Sequence, residues 1–139
     1  MPRTVVPLFP AAPETEKITI NLGHVDLGKI DLLVREGFYT NRSDMIRTAI
    51  RALLDRHQAD TTVVQTKHSF DMGIRLFSRS DLEELRDRGE QLDIKVLGLA
   101  IIASDVEPDL ARATIARLTV LGTLQASRDV KQALADRMG

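Results

Sequence analysis

From Lys17 to Leu22 the chain reads Lys-Ile-Thr-Ile-Asn-Leu, polar and apolar residues in unbroken alternation. That period of two puts Ile18, Ile20 and Leu22 on one face of a β-strand and Lys17, Thr19 and Asn21 on the other. Gly23 closes the run and the period changes. Leu27, Ile30, Leu33 and Val34 recur at helical spacing up to Gly37, a residue suited to the left-handed stop of a helix. Asn41 then opens a second helix, with Asp44 placed as the return partner of a capping box. Its apolar stripe is Ile46, Ala49, Ile50, Leu53 and Leu54, ending near His57. One strand followed by two helices is an incomplete structure. A ribbon without a neighbour leaves its backbone N–H and C=O groups unmatched. A second copy of the chain supplies what is missing: two strands pair antiparallel and four helices close the core. The unit is expected to be an obligate homodimer.

Lys17–His57 resembles the ribbon-helix-helix fold of the CopG/Arc/MetJ family of bacterial DNA-binding regulators. The resemblance is carried by the strand KITINL and by GFYTNRSDMIRTAIRALL from Gly37 to Leu54. The second stretch is similar to the family's loop and second helix, where a small polar cap, Arg, Ser and an acidic residue precede an Ile-Arg-x-Ala-Ile-Arg run. The outward strand face offers one cation, Lys17, where many relatives offer two.

Double-stranded DNA is the partner this geometry suits. A two-stranded ribbon fits the major groove, where each base pair has its own donor and acceptor pattern. With the isoleucines turned to the core, Lys17, Thr19 and Asn21 face away from it as candidate base contacts. Lys can donate to guanine, Asn can pair with adenine in two bonds, and Thr meets a polar edge or a thymine methyl. The bland counterpart is a solvated polar strand face. At the start of the second helix, free N–H groups and the helix dipole form an anion site suited to a DNA phosphate. Asn41 and Ser43 add polar side chains there and Arg42 adds charge. Plain capping by Asn41 is compatible with that role, and the resemblance supports the phosphate contact.

Charge limits how such a protein can hold DNA. Lys and Arg number 19 against 20 Asp and Glu, a net charge of -1. Neither half of the chain carries the positive field of a nonspecific nucleic-acid coater, so recognition needs a small placed cluster, doubled by dimerisation. The absence of cysteine excludes disulfide scaffolds, zinc ribbons and thiol catalysis. The longest apolar run, Val96 to Ala103, is far shorter than the ~20 residues of a membrane span. No signal peptide is read at the start, so the expected location is cytoplasmic, at the nucleoid. No phosphate-binding glycine loop, HExxH or GxSxG occurs, and His24, His57 and His68 have no second ligand at helical spacing. No catalytic residue, metal or cofactor is expected.

The remaining zones differ in texture. Residues 1–16 hold four of the five prolines and are expected to be a flexible tail. Residues 58–69, rich in Thr and Gln, are expected to be a linker. Residues 70–139 carry an internal repeat: Val96-Leu97-Gly98 recurs as Val120-Leu121-Gly122, and Asp105-Val106 as Asp129-Val130, both at a spacing of 24. Stepping back by the same interval aligns Phe70 and Met72 with Ile94 and Val96. Three β-α units are therefore expected, starting near Phe70, Ile94 and Leu118, with capping boxes at Ser80/Glu83 and Ser104/Glu107. The alternative is one ordinary α/β domain.

The expected fold class is thus α+β, a ribbon-helix-helix unit at 17–57 followed by a small solenoid-like β-α repeat domain at 70–139. The function read from it is a sequence-specific DNA-binding transcriptional regulator, with repressor implied by the resemblance. The third unit, with Val120, Leu121 and Leu124 near an open edge, points to a higher homo-oligomer or a protein partner. Two rival readings are a self-assembling scaffold that uses the first unit only to dimerise, and the antitoxin of a toxin–antitoxin pair. No membrane association is expected.

Overall fold

A computed structural model of the chain describes residues 15–139. The described chain divides into two compact units, the first ending at Lys67 and the second beginning at His68. Most of the Pro-rich tail expected over 1–16 lies outside the described residues.

In the first unit, α1 (His24–Arg35) packs on α2 (Arg42–Arg56), followed by α3 (Gln58–His68). The stop of α1 is set by Gly37, whose φ of 84° is in the left-handed region. Its N–H donates to Val34 O and the Phe38 N–H to Leu33 O, so two end carbonyls of the helix find partners. At the start of α2, Asn41 Oδ1 accepts from the Asp44 N–H at 2.8 Å. The Asp44 carboxylate returns to the Thr40 N–H at 2.9 Å, one residue before the position a capping box would use.

One expectation is corrected here, and another concerns a pairing between two chains. Lys17–Leu22, read as a strand, has no hydrogen-bonded secondary structure in the single chain. A strand is defined by its neighbour, and among the described residues none pairs with it. Residues 58–69, read as a linker, are almost entirely the helix α3. Its threonines bond back one turn, Thr61 Oγ1 to His57 O and Thr62 Oγ1 to Gln58 O, so their hydroxyls follow the helix instead of competing with it.

The second unit alternates β1 (Asp71–Phe77), α4 (Arg79–Asp87), β2 (Leu92–Ile102), α5 (Pro108–Thr114), β3 (Ile115–Gln125) and α6 (Arg128–Ala133), and a 3₁₀ turn follows at Ala135–Arg137. The strands form a parallel sheet in chain order, β1-β2-β3. Mixed helix and sheet fits the α+β expectation. On one side of β2, Ile94, Val96, Ala100 and Ile102 are buried against the helices, where Leu82, Val130 and Leu134 complete the core. On β1 the opposite side is open, with Met72, Ile74 and Leu76 exposed.

At β1 the strand register departs from the alignment expected of a 24-residue repeat. Met72 lies beside Leu97, not Val96, and Gly73 lies beside Gly98, a spacing of 25. Gly98 lies beside Gly122, at 24. The caps move too. Ser78, not Ser80, caps α4, in a capping box with Asp81, because paired and buried Phe77 ends β1 and the chain turns at once. Glu107, not Ser104, is the cap position of α5, because Pro108 occupies the first helical position, where its missing N–H costs nothing.

Candidate nucleic-acid interface

The residues expected at DNA form two groups. Lys17, Thr19 and Asn21 lie on the unpaired segment that leads into α1, and all three are exposed. Asn41, Arg42 and Ser43 meet at the start of α2. No hydrogen bond joins the two groups among the described residues.

The apolar alternates of the first group are exposed as well. Ile18 is 73% and Ile20 56% exposed. Within the helices, Ile30 is the buried residue of α1, and α2 has none. Ile50, Leu53 and Leu54 on the α2 stripe are open to solvent, while Ile46 is half-buried. With Leu22, these make six apolar side chains exposed on two stretches of the chain, costly in water at roughly 25 cal/mol per Å². They are the side chains that the alternating and helical patterns assign to a shared core.

At the start of α2 the backbone arrangement suits an anion. Asn41 Oδ1 takes the Asp44 N–H, and Asn41 O takes the Met45 N–H at 3.2 Å. The N–H groups of Arg42 and Ser43 precede the first intrahelical bonds and point out of the helix end. Arg42 itself is engaged: Nε and Nη2 each donate to one carboxylate oxygen of Asp31 on α1, at 2.7 Å. This two-pronged pair holds the Asp31 carboxyl below its usual value, chiefly through the hydrogen bonds, and raises Arg42 in turn. Both side chains remain about half exposed. Nη1 has no part in the pair, so the guanidinium is oriented and still has donors to offer.

Asp31, the partner of Arg42, is a contact that sequence reasoning misses. It lies 11 residues from Arg42, on another helix, and no local spacing rule connects them. Among the described residues no group of three or more His, Cys, Asp or Glu is placed to hold a metal. No helix described is long and apolar enough to cross a membrane.

A family model described as the Ribbon-Helix-Helix transcriptional regulator family matches residues 13–131. That match runs through the first unit and most of the second, well beyond the stretch whose residues carry the resemblance. No curated protein and no solved structure matches the chain.

Proposed function

The chain belongs to the Ribbon-Helix-Helix transcriptional regulator family, and from that premise we propose that it is a sequence-specific repressor that binds double-stranded DNA as a homodimer. One observation carries the reading: Ile18, Ile20 and Leu22 are exposed just before two helices that bury little of their own apolar surface. A second copy pairs its own Lys17–Leu22 with this one and buries both sets. Lys17, Thr19 and Asn21 of each chain then face the major groove and read base edges. Asn41, Arg42 and Ser43 hold a backbone phosphate at the start of α2, with the Arg42 guanidinium oriented by Asp31.

The domain division that goes with this reading is a DNA-binding unit at 17–57, joined through 58–69 to an assembly unit at 70–139. The second unit, a small solenoid-like stack of β-α repeats, links ribbon dimers to each other. A regulator of this design acts at the nucleoid.

DNA binding tested across salt concentration separates this reading from a scaffold. The full chain is expected to retain genomic fragments at low salt and to release them as salt rises, with a linear fall of log affinity. A chain that assembles but retains no DNA at any salt overturns the reading.

A further inference from the structure

Gly73, Gly98 and Gly122 lie side by side in a column across the three parallel strands, with φ of 111°, 137° and 119°. Residues one and three steps from that column share the face turned away from the helices. They stand in rows: Met72 beside Leu97, Ile74 beside Leu99, and Leu76 beside Ile101. On β3 the same rows end at Leu121, Thr123 and Gln125, so none of them holds a charged side chain.

Parallel sheets are stable with both faces covered. The helices supply Leu82, Leu110 and Val130 to one face of this sheet. On the other, Met72 is 60%, Ile74 71% and Leu76 54% exposed, while Leu97, Leu99 and Ile101 are half-buried. β1 and β2 thus carry a continuous apolar surface that the described residues leave open.

Charge decides what fits it. With no cation in its rows, the face offers nothing to DNA, and with no charge of either sign it offers nothing to a charged segment. Such a face is complementary to itself. One cation, Lys95, stands on the same side, one row before Leu97. A two-fold axis along β2 would lay Lys95 against Lys95 of the partner copy, a like-charge contact. A two-fold axis across the strands, through Ile74 and Leu99, reverses the partner sheet instead. Lys95 then passes beyond Ile102, where the partner's β2 ends, and its ammonium reaches water. The same axis lays Ile74 over Ile74 and Met72 over Leu76.

We propose that this face packs on the same face of a second copy of the chain, from a neighbouring ribbon dimer, with the strands of the two sheets opposed in direction. The contact is complete on β1 and β2 and asks nothing of β3. Each ribbon dimer presents two such faces, so pairing joins dimers to one another. This deepens the assembly role proposed above and rests on it.

The chain has no cysteine, so the packing can be read with single-cysteine variants of the full chain. They are treated with a bis-maleimide whose span matches the ~10 Å between packed sheets. A band of two-chain mass is expected from I74C alone and from M72C mixed with L76C, but not from M72C or L76C alone. Light scattering is run on the unmodified chain and on I74K, whose altered side chain is exposed within one copy; urea unfolding checks that I74K is folded. The unmodified chain is expected at four-chain mass or more and I74K at two. Assembly that survives I74K, or that lacks these bands, overturns the face pairing and leaves the assembly role standing. A chain that stays dimeric overturns both, whether or not I74C cross-links. Bands that arise only after removal of residues 1–14 would give the face to that segment and overturn the pairing.

Discussion

Arg42, the first residue of α2, grips Asp31 of α1 with two hydrogen bonds of 2.7 Å. The pair gives two substitutions opposite meanings. If Arg42 serves DNA, Arg42→Ala weakens binding to specific and random DNA alike, because a phosphate contact carries no sequence information. The slope of log affinity against log salt becomes shallower by about one unit for each phosphate no longer neutralised. Asp31→Asn breaks the same ion pair but frees the cation, so affinity for random DNA rises and the slope steepens. Titrations over a salt series check this; equal losses of affinity from both variants would assign Arg42 to the ion pair alone.

Thr19→Ala and Asn21→Ala test the ribbon. Both side chains lie opposite the apolar alternates Ile18, Ile20 and Leu22, so the dimer is expected to fold normally. Affinity for the cognate site is expected to fall by roughly 1–3 kcal/mol for each base no longer read, with discrimination relaxed at one position in each half-site. Binding of unchanged strength and specificity by both variants would remove the strand as the reader.

Acid tests the Arg42–Asp31 pair within the protein. Hydrogen bonds from Arg42 hold the Asp31 carboxyl below the usual 3.8. A carboxyl lowered on folding stabilises the folded chain above its unfolded value, and that contribution disappears as pH falls through the lowered one. The stability difference between the wild-type chain and Asp31→Asn is therefore expected to be constant from neutral pH down to the ordinary carboxylate range and to vanish below it. Because both groups are half exposed, added salt shrinks it. Urea unfolding of both chains over a pH series measures it.

What is legible in the sequence is what neighbours in sequence decide. Gly37 and Asn41 mark helix ends because stop and cap are local devices, and the structure puts them at those positions. The alternation at Lys17–Leu22 shows which residues share a face, but not the pairing, which no single chain can make. Ser78 and Ser80 each have an acidic residue three positions on, so spacing could not choose between them. The end of β1 at Phe77 chose. Asp31 is hidden because its partner is on another helix. The glycine column is half visible: Gly98 and Gly122 repeat at 24, whereas Gly73 falls one residue out of step and is tied to them only by strand register.

Two glycine substitutions are expected to act with opposite sign. Gly98→Ala drives a Cβ against Gly73 O at a φ of 137°, and is expected to destabilise the second unit by roughly 2–4 kcal/mol. Gly28 sits within α1 with open space around its missing side chain. Gly28→Ala is expected to stabilise the first unit by about 0.5–1 kcal/mol. Urea denaturation of each variant decides; a destabilising Gly28→Ala would mean that another chain packs against that face of α1.

Recovery of the genomic DNA bound by the full chain, followed by alignment of the recovered fragments, tests the central claim most directly. Two ribbon strands related by a two-fold axis read two half-sites in opposite senses. The account predicts a small set of fragments sharing a pseudo-palindromic motif. Uniform recovery across the genome, or a motif without two-fold symmetry, would contradict it.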